Sequence, residues 1–155
     1  LTVVKAIEEI ECKLLIVGKL TESDCSYLRD RKIDFENFIN INKNELEALY
    51  LRADLVTFPS LHEGFGLPII EGQASQTPVI TSNLSPMLEV AGKGAILIDP
   101  LDANALTESI KRVLSDLEYT GELVRRGSDN AKLYSAEVVA SDHLGYYQRI
   151  IDLRT

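Results

Sequence analysis

Tryptophan is absent from these 155 residues, methionine occurs once, and cysteine and histidine occur twice each. Each shortage closes a class of chemistry. Cys12 and Cys25 are too few for a disulfide scaffold, and with His62 and His143 far apart in the chain they do not form a metal-ligand cluster, so both thiols read as structural in a reducing compartment. No apolar run is long enough to cross a bilayer and no secretory pattern opens the chain, so the cytoplasm is the expected location. Basic residues are in the minority. Lys and Arg total 16 against 24 Asp and Glu, a net charge of −8. Broad attraction to nucleic acid or to anionic lipid is therefore not expected. What the chain has is apolar material: 45% of it is hydrophobic, enough for one sizeable core and too little length for two typical domains.

Hydrophobic periodicity predicts alternating helices and strands. Val4, Ile7 and Ile10 share a helical face, and Lys13 to Val17 is a compact strand ending at Gly18. Thr21 to Asp24 has the form of a capping box opening a helix to about Arg31, Ile33 to Ile39 reads as a second strand, and Asn42 can cap a helix to Ala53 with Leu46, Leu49 and Tyr50 as its apolar stripe. A strand at Leu55 to Phe58, a helix from Leu67, a strand at Pro78 to Thr81, a short helix at Met87 to Ala91 and a strand at Ala95 to Ile98 follow. From Asp102 onward only helices are predicted: one capped by Asp102, one over Gly121 to Leu133, and one capped by Ser135 and running to Leu153. Such alternation predicts an α/β fold, a Rossmann-like doubly wound parallel sheet with helices on both faces and a helical carboxyl-terminal end. The whole of 1–155 reads as one domain.

The segment from Glu63 to Glu71, Glu-Gly-Phe-Gly-Leu-Pro-Ile-Ile-Glu, carries the chemistry. Gly64 and Gly66 permit positive φ and close approach of a ligand to bare backbone, and Pro68 suits a first helical turn because its missing N–H would be unpaired there in any case. The helix start faces the carboxyl end of the preceding strand, where an open α/β sheet binds ligands and where phosphate is favoured. Glu71, one turn in, can accept bonds from a ribose diol. Glu63 can lie near a sugar carbon that turns positive as its leaving group departs. Plain turn punctuation and complementarity to the helix dipole are the ordinary alternative for the same residues.

Ser60 through Glu71, with Thr77-Pro78-Val79-Ile80-Thr81-Ser82 and the stretch from Glu89-Val90 to Asp99-Pro100, resembles the donor-binding, carboxyl-terminal half of the retaining group 1 glycosyltransferases of GT-B fold. The match runs from the strand near Lys13 to the last helix, and its most specific part is the glutamate pair with seven residues between. The resemblance implies Glu63 beside the donor sugar as the catalytic carboxylate, backbone N–H groups of Phe65, Gly66 and Leu67 toward sugar and pyrophosphate, Gly64 shaping the turn, and Glu71 on the ribose. Asn40 and Ile41 are the weaker candidates for the nucleobase. The implied substrates are a UDP-, GDP- or ADP-sugar and an acceptor hydroxyl, with a hexosyl group transferred and the anomeric configuration kept. No cofactor or metal is expected, since the chain has no Asp-x-Asp triplet to hold a metal diphosphate.

The resemblance also implies missing parts. A doubly wound sheet begins with a central strand, whereas this chain opens in a helical pattern, so it is expected to lack its first strand. The arginine and lysine that grip pyrophosphate in the family, after that strand, have no counterpart; Lys5 and Lys19 do not match them. An amino-terminal acceptor-binding domain is expected as the partner, with the helix at 136–153 turned toward it through Leu144, Tyr147, Ile150 and Ile151, against simple core packing as the alternative. Membrane contact would come only through that absent half, and the isolated chain is expected to be inactive. One departure stands out: Gly72 follows Glu71 where the family favours alanine, which costs about 0.8 to 1 kcal/mol in a helix. Two other classes share such a fold, a sugar-nucleotide epimerase and a non-enzymatic α/β module of receiver type. The receiver's paired-acid cluster near the first strand end is not present.

Overall fold

The computed structural model describes residues 2–153. In chain order the elements are α1 Thr2–Ile7, β1 Lys13–Val17, α2 Glu22–Asp30, β2 Asp34–Phe38, α3 Lys43–Arg52, β3 Val56–Phe58, α4 Leu67–Ala74, β4 Val79–Ser82, α5 Met87–Ala91, β5 Ile96–Ile98, α6 Ala103–Ser115, α7 Leu117–Lys132 and α8 Ala136–Asp152. Side chains set most helix starts. Thr21 and Asn42 close capping boxes on α2 and α3 with Asp24 and Glu45, and Asp102, Asp116 and Ser135 cap α6, α7 and α8. The predicted start of α7 at Gly121 is corrected: Asp116 accepts from the Tyr119 N–H, and the helix begins at Leu117. Gly121 lies inside it with open space where a Cβ would be.

Every strand pairing is parallel. β4 is central to the core, with all four residues buried, and alternate side chains go to opposite faces. Ile80 joins Ile98, Ala6, Ile7, Leu106 and Ile110 beneath α1 and α6, while Val79 joins Ile69, Met87, Val90 and Ala91 beneath α4 and α5. Helices thus cover both faces, as a parallel sheet requires.

The sheet is divided into two hydrogen-bonded pieces, β2-β1 and β3-β4-β5. Their order is that of a doubly wound sheet without its central first strand, the strand expected to be lacking. Among the described residues no ladder joins β1 to β3. The division leaves both strands only partly covered: Leu14, Leu15 and Ile16 of β1 and all of β3 are half-buried, against the full burial of β4.

The carboxyl-terminal helix lies outside the core. None of the 17 residues of α8 is buried, with Leu144 68%, Tyr147 58% and Ile151 56% exposed, so core packing does not account for its apolar residues.

Candidate functional site

The loop between β3 and α4 is built from the strand ends beneath it. Thr81 and Ser82 of β4 are fully buried, and their hydroxyls donate to the carbonyl oxygens of Phe58 and Ser60. Buried hydroxyls need such acceptors, and here they pin the point where the chain leaves the sheet. Ser60 in turn donates its Oγ–H to Glu63 Oε1 at 2.9 Å. The Glu63 carboxylate is therefore oriented by this bond while the residue stays exposed.

Gly66 is the conformational hinge of the loop. It takes φ 101° and ψ 48°, the left-handed region, and a Cβ there would come within 3.1 Å of Ile69 Cδ1. Gly64 is different from expectation. Its φ is not left-handed and nothing lies within 4 Å of a Cβ built on it, so the turn does not require glycine at that position. Gly66 is buried, while Gly64, Phe65 and Leu67 are exposed. Phe65 leans edge-on against Tyr134, ring centroids 5.6 Å apart, which ties the loop to the end of α7.

From Gly66 the chain enters α4 without any side-chain cap and with no acidic residue in the first turn. In this α4 differs from α2, α3, α6, α7 and α8, where a side chain accepts from the first N–H groups. Pro68 has no N–H to offer and the Ile69 N–H is taken by the Gly66 carbonyl at 3.0 Å, which leaves the Leu67 N–H to an outside acceptor or to water.

Glu71 projects from α4 toward α3. Tyr50 Oη–H donates to Glu71 Oε2 at 2.9 Å, and the two residues share a cleft of ≈ 510 Å³ with Lys43, Leu46, Glu47 and Leu51 of α3 and Ala74, Ser75 and Gln76 behind α4. Burial, and then the bond to Glu71 and its charge, push the Tyr50 phenol well above its ordinary pKa. The phenol therefore stays a proton donor at every physiological pH. It engages one carboxylate oxygen, and a carboxylate has acceptor capacity beyond that single bond. Thr77 steadies this wall by donating its hydroxyl to the Tyr50 carbonyl at 2.9 Å.

The expected site residues are not all brought together. Glu63, Gly64, Phe65, Gly66 and Leu67 form the loop and helix start, and Glu71 lines the α3–α4 cleft. Asn40 and Ile41 do not line that cleft; Lys43, at the start of α3, does. Asn40 has φ 56°, the left-handed conformation of a turn residue. Tyr50 was legible only as part of an apolar stripe. A hydroxyl on the cleft side of that stripe was the one signal that could have singled it out. Among the described residues no group of three or more His, Cys, Asp or Glu side chains could hold a metal ion, and no helix is long and apolar enough to cross a membrane. Cys12 and Cys25 are free thiols.

A parallel α/β fold with an uncapped helix after a glycine hinge, and a carboxylate one turn further on, describes a domain of Rossmann-like type with its ligand side at the strands' carboxyl ends. The family profile described as "Glycosyl transferases group 1" matches residues 1–133, and the chain belongs to that family, with the GT-B fold. It is similar to the O-antigen chain mannosyltransferase B of Escherichia coli, 34% identical over 104 residues, which are 67% of this chain and 27% of that protein. It is also similar to the MMP alpha-(1->4)-mannosyltransferase of Mycolicibacterium hassiacum, 33% identical over 117 residues, 72% of this chain and 28% of that one. Among solved structures, sucrose-phosphate synthase from Thermosynechococcus elongatus matches at a TM-score of 0.85 and 26% identity, over 98% of this chain and 42% of its own. The chain thus spans about a quarter of the length of these curated relatives.

Proposed function

We propose that this chain is the donor-binding half of a retaining glycosyltransferase that moves a hexosyl group from a nucleoside diphosphate sugar to an acceptor hydroxyl. The single observation that carries this reading is the pairing of an uncapped helix start at Gly66–Leu67 with a carboxylate, Glu71, already hydrogen-bonded into a cleft one turn along. The Leu67 N–H, with the loop N–H groups of Phe65 and Gly66 beside it, suits diphosphate oxygens, and the carboxylate suits the ribose diol. Similarity to two mannosyltransferases supports a hexosyl donor and makes GDP-mannose the first to try.

Departure of the nucleoside diphosphate leaves negative charge on its terminal phosphate and positive charge on the anomeric carbon. The N–H groups of Phe65, Gly66 and Leu67 meet the first, and the Glu63 carboxylate, oriented by Ser60, meets the second. The partner in this scheme is an acceptor-binding domain, and the apolar, uncovered surface of α8 is the candidate face toward it. Protein groups alone manage the charge, with no metal assigned.

Calorimetric titration of the chain with UDP, GDP and ADP tests the proposal. One of the three should bind, and Glu71→Ala should weaken it at least tenfold in a chain whose circular dichroism shows it still folded. Equal affinity in the variant would remove Glu71 from the ribose, and no binding of any of the three would overturn the donor-site reading.

A further inference from the structure

Three consecutive residues of α4 meet three different neighbours. Glu71 is bonded to Tyr50 of α3. Gly72 lies against the sheet so closely that a Cβ would come within 2.9 Å of Val79 Cγ2 and 3.3 Å of Val56 Cγ2. Gln73 turns to the far side, where it is 1% exposed and uses its carboxamide at both ends. Its Nε2–H donates to the Ala91 carbonyl at 3.0 Å, and its Oε1 accepts from Asn130 Nδ2 of α7 at 2.8 Å. Asn130 Nδ2 also donates to the Val90 carbonyl at 2.8 Å.

The housing of this amide pair is made by glycine. A Cβ on Gly94 would run into the Gly127 backbone, one on Gly127 would come within 3.0 Å of Gln73 Cγ, and one on Gly92 would strike the Asn130 carboxamide. Successive helical residues point about 100° apart, so Gln73 and Glu71 lie on roughly opposite sides of α4. Whatever fixes the azimuth of Gln73 fixes that of Glu71.

Apolar contacts at Ile69 and Ile70 are not directional, whereas hydrogen bonds to the fixed carbonyls at the end of α5 are. Rotating α4 by ~20° at a side-chain radius of ~5 to 6 Å would carry the Glu71 carboxylate ~2 Å. That is enough to break a 2.9 Å bond to Tyr50. We propose that Gln73, held by Asn130, is a positioning residue that sets the rotation of α4 and so keeps the Glu71 carboxylate in the α3–α4 cleft. Its effect on nucleotide affinity rests on the donor-site reading above; the positioning itself does not.

The experiment uses two readouts on the 155-residue chain. The first is the ¹³Cζ chemical shift of Tyr50, assigned with Tyr50→Phe, which reports the Tyr50–Glu71 bond with no ligand present. Gln73→Met keeps the side-chain volume and removes both amide bonds; it should move the Tyr50 signal toward that of free tyrosine. The second is affinity for whichever nucleotide binds, which should fall five- to tenfold. Ile110→Val, a mildly destabilising core change beneath α6 on the opposite face, supplies a control and should move neither. If Gln73→Met does not fold, Asn130→Ser at the half-buried partner provides the same comparison. A Tyr50 signal unchanged in a folded Gln73 or Asn130 variant would reduce the pair to core packing and overturn the proposal. Failure of the unaltered chain to bind any nucleotide would count against the donor site alone, because the Tyr50 signal decides the positioning without it.

Discussion

Glu63 and Glu71 leave the same stretch of chain into different surroundings, and their chemistry divides accordingly. Glu71 is half-buried and already accepts one strong donor, Tyr50, which holds it in place without consuming its acceptor capacity. Glu63 is exposed, and Ser60 Oγ–H orients its carboxylate. A group that stabilises charge arising only in the transition state should affect turnover and spare ground-state binding. Within an intact transferase containing this chain, Glu63→Gln is therefore expected to lower kcat by ~10²-fold with KM little changed. A KM rise at constant kcat would make Glu63 a binding residue. The glutamate pair and Gly66 could be read from the sequence because their spacing and residue types speak locally. Tyr50, 21 positions from Glu71, and Asn130, 57 from Gln73, could not, since only the fold sets them against their partners.

At the scale of elements, α4 is shaped by close approach as much as by helix propensity. Gly72 was the awkward residue in the sequence, a glycine inside a helix. The structure gives its reason: the helix presses on Val79 and Val56, leaving no room for a methyl group. Replacing it with alanine would gain about 1 kcal/mol of propensity, against a penalty of about 1 to 3 kcal/mol for forcing a Cβ into a packed core. Val79 is fully buried and β-branched and cannot swing aside. Gly72→Ala should consequently lower the melting temperature by a few degrees, as differential scanning calorimetry would read it, and a rise would show that the sheet yields. Most elements were legible because capping residues and strand periodicity announce their ends. The start of α7 was not, because Gly121 looks like punctuation and Asp116 has no glutamate three residues on to mark it as a cap.

At the scale of the molecule, the divided sheet is the dominant fact. The Gly18 N–H bonds to the Phe38 carbonyl, so the even-numbered backbone groups of β1 face β2 while those of Leu15 and Val17 face the open side. The Val56 N–H bonds to the Pro78 carbonyl, which leaves Thr57 of β3 facing outward in the same way. Backbone groups without a ladder partner exchange with solvent readily. Amide hydrogen exchange should accordingly be fast at Leu15, Val17 and Thr57 and slow at Ile16, Val56 and throughout β4. Uniform protection across β1 and β3 would mean that the two edges are closed. The parallel order was legible in the alternation of helix and strand; the division of the sheet, and the packing of Leu14 of β1 against the cluster under α1 and α6, were not.

The function proposed for this molecule depends on the nucleotide lying between the start of α4 and Glu71. The most direct measurement is a two-dimensional NMR titration of the ¹⁵N-labelled chain with GDP and UDP at millimolar concentration. The largest shifts should fall on the amides of Phe65, Gly66 and Leu67 and on Glu71 and Tyr50, mapping one continuous footprint from the glycine hinge into the cleft. Shifts gathered instead at the opposite end of the strands, around Cys12 and Asp34, would contradict the account.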